Sequence, residues 1–226
     1  MPLNDIGIVH SNTLGAANWP VTLTNGTSSP VDLDPTGAQV VMDFYLKAMI
    51  AGKGFQLRAG TITTPLVGDV VITDTAAEYC VDPGSGMVIL PATQMISLRL
   101  LTGTLHEYAT KSVLTASTAG TAFTPLPLIT GGPGSTSTAR VQAAGAVTVT
   151  AEVATTTRRH WELANPAAGA TGALPTAGHT LEWTPRTPPP IIAGVCLYTQ
   201  IAATGTGPSY YAHLDWLEFS RAQLGL

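Results

Sequence analysis

Charge is scarce in this sequence. Asp, Glu, Lys and Arg supply 11% of its 226 residues, against about 25% in an ordinary soluble domain. Only three lysines occur, Lys47, Lys53 and Lys111, and the one adjacent basic pair is Arg158-Arg159. A protein that tracks a phosphate backbone needs clustered cations to displace counterions, so the composition argues against nucleic acid as a partner. Arg158, Arg159, His160 and Trp161 could still contact a phosphate or stack on a base. The plainer reading makes them a solvated strand end around a buried Trp.

Long apolar runs are missing too. No stretch of 18 uncharged apolar residues is available to span a bilayer. The start, MPLNDIGIVHSNTLG, lacks the basic region, apolar core and small-residue cleavage site of a secretory signal. The expectation is a protein with no membrane partner and no cleaved leader.

The motifs of catalysis are equally sparse. There is no G-x-S-x-G elbow and no Cys beside a plausible base. The Gly-rich stretch GGPGSTST lacks the Lys of a phosphate loop. Cysteine occurs twice, at Cys80 and Cys196, far apart and without ligand spacing, in the apolar runs AEYCV and GVCLY; two buried thiols are expected, with a disulfide as the alternative. None of the five histidines pairs with another His or a Cys at metal-ligand spacing, so no zinc site is expected. His106-Glu107 and His213-x-Asp215 are the two candidates for an imidazole oriented by a carboxylate, the second because positions i and i+2 of a strand share a face. Asp32, Asp34, Asp69, Asp74 and Asp82 could offer oxygens to calcium, but form no recognised loop and suit turns. Three acids sit beside a Trp, in Trp161-Glu162, Glu182-Trp183 and Asp215-Trp216, a weak hint of sugar binding. No catalytic, cofactor or metal residue is assigned, and no enzyme activity is expected.

What the sequence has in abundance is Gly, Pro, Thr and Ala among short alternating apolar segments. Residues 1–37 read as a polar N-terminal arm, with Asn25-Gly26 as a hairpin turn between VTLT and VDL. Asn25-Gly26-Thr27 also matches a glycosylation acceptor, but reads as the turn. From 38 to 117 strand-like runs recur at the spacing of about ten residues that marks a sandwich or barrel. They include AQVVMDFYLKAMI, read as strand over helix because Val40, Met42, Phe44, Leu46 and Ala48 fit period two, then FQLRAGTITT, GDVVITD, AEYCV and LHEYATKSVLTAS. Met87–Thr102 reads as the turn and second arm of a hairpin, with Pro91 at the turn and Ile96, Leu98 and Leu100 facing the core opposite Ser97 and Arg99. Residues 118–139 are a Pro/Gly-rich connector. A second β unit, 140–226, carries the alternating Val147, Val149, Ala151 and Val153. It ends in a strand with Tyr210, Ala212, Leu214 and Trp216 on one face, or in a closing helix over 214–224.

An ion-poor surface fits either a chain covered by neighbouring subunits or a neutral, Thr-rich extracellular β surface. In overall character, with its arm, hairpins and poverty in Lys, the chain resembles virion structural proteins of tailed bacteriophages, the capsid decoration proteins and tail-fibre heads. The resemblance implies an all-β, jelly-roll-like β-sandwich, in one lobe or two, with an extended N-terminal arm reaching over a neighbour. It also implies localisation to the virion, and as partners copies of the chain itself, often a trimer, and other virion proteins. The competing function is a carbohydrate- or receptor-binding module in which Trp183 or Tyr210 stacks on a sugar.

Overall fold

The computed structural model describes residues 44–73, 75–100, 105–142, 145–150, 155–164, 180–185, 192–193, 196–224 and 226. The arm 1–37, with its hairpin and with Asp32 and Asp34, lies outside them, as does Asp74. A helix, α1 (Phe44–Ile50), precedes β1 (Gly54–Ala59), β2 (Leu66–Val67), β3 (Ala76–Ala77), β4 (Tyr79–Asp82), β5 (Met87–Leu100), β6 (Leu105–Val113), β7 (Thr118–Ala119), β8 (Thr121–Phe123) and β9 (Leu126–Pro127). There follow β10 (Thr138–Val141), β11 (Val147–Thr148), β12 (Thr155–Ala164), β13 (Thr180–Trp183), β14 (Ile192–Ala193), β15 (Cys196–Ala203) and β16 (Ser209–Ser220), then a 3-10 turn over Arg221–Leu224.

The fold is an all-β sandwich. A seven-stranded sheet runs β13-β5-β16-β1-β9, with β14 also on β5 and β2 on β16. Facing it is a six-stranded sheet, β12-β6-β15-β4-β10-β8, and a three-stranded sheet, β3-β11-β7, accompanies them. Strands from both sides of the 118–139 stretch share each large sheet. That stretch itself supplies β7, β8, β9 and the start of β10, so it marks a change of composition and not a boundary between sheets.

Three apolar clusters follow from strand alternation. Between the large sheets lie Phe55, Leu57, Tyr79, Val81, Ile96, Leu98, Tyr108, Leu197, Ile201 and the β16 set Tyr210, Ala212, Leu214 and Trp216, which bears out the one-face reading of that strand. On the other side of the six-stranded sheet, Cys80, Val113, Cys196 and Tyr198 meet Ala77, Val147 and Val149. The outer face of the larger sheet presents Val88, Leu90, Leu217 and Phe219.

That third face explains a correction. Residues 44–50, read as strand, are helical, because the exposed apolar end of the larger sheet needs a cover and a 3.6-residue period supplies one. Tyr45 and Ala48 are buried on it, with Phe44 and Met49 packed alongside, while Leu46 and Ile50 point to solvent. The helix stops in a Schellman arrangement, Lys53 N–H to Ala48 O at 3.0 Å and Gly52 N–H to Met49 O at 2.9 Å, with Gly52 at φ 71° where a side chain would strain.

A second correction concerns Pro91. It is not at a turn: β5 runs unbroken through it as one 14-residue strand. Trp216 pairs with Pro91 and Asp215 with Thr93, so Ala92 is an extra, bulged residue. On its other edge β5 pairs with β14 at Val88 and Ile89 and with β13 from Gln94 to Ser97. Pro91 falls between them, and among the described residues none pairs with it on that edge, so no ladder N–H is required there. The bulge also resets parity, which lets odd-numbered Ile89 and even-numbered Ile96 both enter the inter-sheet core. Ser97, expected on the outward face, is buried between β13 and β16, whereas Arg99 is exposed.

A third correction is GDVVITD. Its described residues form no strand beyond a single parallel bridge from Asp69 to Ala202. Instead residues 61–73 make a strap across one end of the sandwich: β2 holds the larger sheet at Tyr210, and Asp69 N–H bonds Ile201 O of the other sheet at 2.9 Å. The strap crosses Gly207 so closely that a Cβ there would stand 1.6 Å from Gly68 O.

Candidate functional site

The strap carries the most conspicuous surface feature. Ile62, Val67, Val70 and Val71 are 60%, 57%, 55% and 61% exposed, all within ten residues of chain. Backbone bonds at Gly68, Asp69 and Ala203 fix the segment to both sheets, so these side chains are held outward by a tethered backbone.

The histidine candidates separate. His106 and Glu107 occupy opposite faces of β6, and His106 is buried, its ring stacked on Tyr108 at 6.4 Å with Nδ1 3.3 Å from Tyr108 Oη. It forms no dyad with Glu107. His213 and Asp215 do share the outer face of β16, opposite Leu214 and Trp216, as the period predicts. Yet Asp215 Oδ1 accepts from Gln56 Nε2 at 2.8 Å, and Arg58 Nε donates to Gln56 Oε1 at 2.6 Å. Burial pushes the Asp215 carboxyl up, against the pull of Gln56, His213 and Arg58. The arrangement is a polar chain along a sheet face.

In the quartet at 158–161, Arg158 is the bulged residue of β12, and its Nε donates to Ser112 Oγ at 2.9 Å. Arg159 lies 5.0 Å over the half-buried Trp161 ring, an exposed cation–π contact. These partners make the quartet an edge-strand feature. Of the sugar-stacking candidates, Tyr210 is buried in β16 and so is Trp216, which removes both; Trp183 remains half-buried on β13. Asp69 and Asp82, the described members of the calcium set, sit apart on the strap and in β4.

Two clusters escaped the sequence. Ser135, Thr136 and Ser137, from the Gly-rich stretch, grip the buried Glu218: Ser135 Oγ and Ser137 Oγ donate to Oε2 at 2.6 and 2.9 Å, and Thr136 N–H to Oε1 at 2.9 Å with its own hydroxyl beside it. The loop that failed as a phosphate cradle holds a carboxylate of its own chain.

The other cluster joins residues far apart in sequence. Across the β4–β15 ladder Leu197 pairs with Val81 and Tyr198 with Cys80, so Cys196 falls opposite Asp82 and diagonal to Cys80, all on one face. Cys80 Sγ, Cys196 Sγ and an Asp82 oxygen lie within 4.8 Å of one another. All three residues are buried, and both thiols are free, as expected. Ser117 closes the group: its Oγ donates to Asp82 Oδ2 at 2.5 Å, its N–H reaches the same carboxylate at 3.1 Å, and Cys80 Sγ donates to its Oγ at 3.0 Å. Hydrogen bonding to Cys80 and burial raise the Cys196 thiol well above its usual range. Linear spacing concealed this set because strand register, not sequence distance, creates it.

No protein-family model matches the chain, and no curated protein matches it. Among the described residues no helix is long and apolar enough to cross a membrane.

Proposed function

We propose that this chain is a non-enzymatic structural subunit of a virus particle, a capsid decoration protein or tail-fibre head of the tailed-bacteriophage kind, that assembles with copies of itself and binds or stabilises the shell. The observation that carries this reading is the strap. Four aliphatic side chains more than half exposed on one tethered segment, in a chain with 11% charged residues, are costly to leave in water at about 25 cal/mol per Å². They suit the apolar, charge-depleted centre of an interface between like subunits. A closed oligomer buries the same strap on every copy, which open association does not guarantee.

Native mass measurement at micromolar concentration tests it. A closed homo-oligomer, with a trimer as first expectation, supports the reading; a strict monomer with no affinity for particles overturns it. Deleting residues 1–37 is expected to abolish assembly while leaving the sandwich folded.

A further inference from the structure

We infer that Cys80, Asp82 and Cys196 form a site for a single borderline-soft divalent metal ion, of which Zn²⁺ is the type. This inference is independent of the assembly reading. Two sulfurs and a carboxylate are a donor set that such an ion prefers, with Zn–S near 2.3 Å and Zn–O near 2.0–2.2 Å. Ligand atoms around a tetrahedral ion of that size stand roughly 3.3–3.8 Å apart. The three atoms, already within 4.8 Å of one another, reach that spacing by contracting about 1.5 Å at most.

The surroundings are those of a closed structural site. Ser117 Oγ lies between Cys80 and Asp82 and offers a fourth oxygen, while its N–H holds the carboxylate, the work of an outer-shell partner. Ala77, Val113, Val147, Val149 and Tyr198 pack around the thiols and exclude water. Two thiolates, one carboxylate and a divalent ion leave one negative charge, and Arg140 stands directly across the β10–β4 ladder from Cys80, on the same face. A disulfide fits less well. Diagonal neighbours on adjacent antiparallel strands have Cα atoms about 7–8 Å apart, beyond the range a disulfide bridges without backbone movement. The ion would tie β4 to β15 and to the Ser117 turn, and binding would displace the thiol protons.

The test uses the full chain expressed in zinc-supplemented medium, purified without chelator and assayed by elemental analysis, followed by exchange into Co²⁺. The expected result is close to one zinc per chain, and with cobalt a thiolate-to-metal charge-transfer band and the intense visible bands of tetrahedral coordination. Both are lost in Cys80→Ser and Cys196→Ser, and the affinity falls at least tenfold in Asp82→Asn. Zinc in the wild type no higher than in the doubly substituted C80S/C196S chain overturns the inference. So does an intact mass, measured without reductant, lower by two hydrogens, which would report a Cys80–Cys196 disulfide. Because the wild-type stoichiometry and mass decide the question by themselves, a variant that fails to fold does not leave it open.

Discussion

Gln94 of the larger sheet donates a 2.7 Å hydrogen bond to Thr199 of the facing sheet, in the middle of the apolar core. The same amide nitrogen donates to Tyr79 Oη at 2.8 Å, and its oxygen accepts from Thr110 Oγ1 at 2.8 Å. Thr110, Thr199 and Tyr79 lie side by side on β6, β15 and β4, so one amide spans three strands. An apolar contact would tolerate sliding of one sheet over the other. This network specifies one alignment, since any shift strands buried polar groups.

Gln94→Leu is therefore expected to lower stability by about 1–3 kcal/mol, the cost of taking from the Tyr79, Thr110 and Thr199 hydroxyls the amide they bond in the core. Adding Tyr79→Phe removes one of the hydroxyls that lose the amide, and the double variant is expected to be more stable than Q94L alone. Urea unfolding of the wild type and the two variants measures both steps; equal stability of single and double variants would refute the role given to Tyr79.

Glu218 sets a pH dependence. Burial alone would raise its pKa, but hydrogen bonds from Ser135, Thr136 and Ser137 outweigh it and hold the carboxyl below its ordinary 4.5. For an acid whose folded pKa is depressed, the stabilisation is complete above the unfolded value and lost as pH falls through the folded one. The melting temperature of the wild type is thus expected to drop below about pH 4.5, and Glu218→Gln to be less stable at pH 7 with a deficit that shrinks on acidification. A pH-independent deficit would contradict this assignment.

How much of this was readable beforehand differs by element. The last strand could be read because Tyr210, Ala212, Leu214 and Trp216 alternate without interruption over a core face. Residues 44–50 could not, since Phe44, Leu46 and Ala48 satisfy period two as well as the helix; only the apolar patch at Leu217 and Phe219 decides between them. Pro91 misled because its ordinary place is a turn, and the gap between β13 and β14 that admits it is a tertiary fact. The Cys80, Asp82 and Cys196 group and the grip on Glu218 depend on which strands become neighbours. Composition points to an ion-poor surface, but GDVVITD reads as a strand, and only the tertiary pairing puts Val70 and Val71 on the strap.

The bulge at Ala92 makes Trp216 a sensitive position. Its ring is buried against Phe55 at 6.3 Å, and its indole N–H has no hydrogen-bond partner among the described residues. Trp216→Ala is expected to cost about 3–5 kcal/mol. Trp216→Phe removes the same donor but keeps an aromatic ring against Phe55, so its cost should stay well below that of the Ala variant. Thermal unfolding of the pair measures the difference, and equal losses would mean that the retained ring contributes nothing at this site.

The strap offers two substitutions with opposite signatures. Gly207→Ala forces a methyl group toward Gly68 O, so the strap must lift; overpacking of this kind costs about 1–3 kcal/mol, and assembly should weaken together with stability. Val70→Asp with Val71→Asp changes only exposed side chains. Surface changes of that sort usually stay within about 0.5 kcal/mol, but two carboxylates at the centre of an apolar interface must be desolvated against a like surface on the partner. The expected outcome is an unchanged melting transition with the oligomer dissociated at micromolar concentration, measured by sedimentation velocity. An oligomer that survives both aspartates intact would show that the strap is not the contact, whatever else holds the copies together.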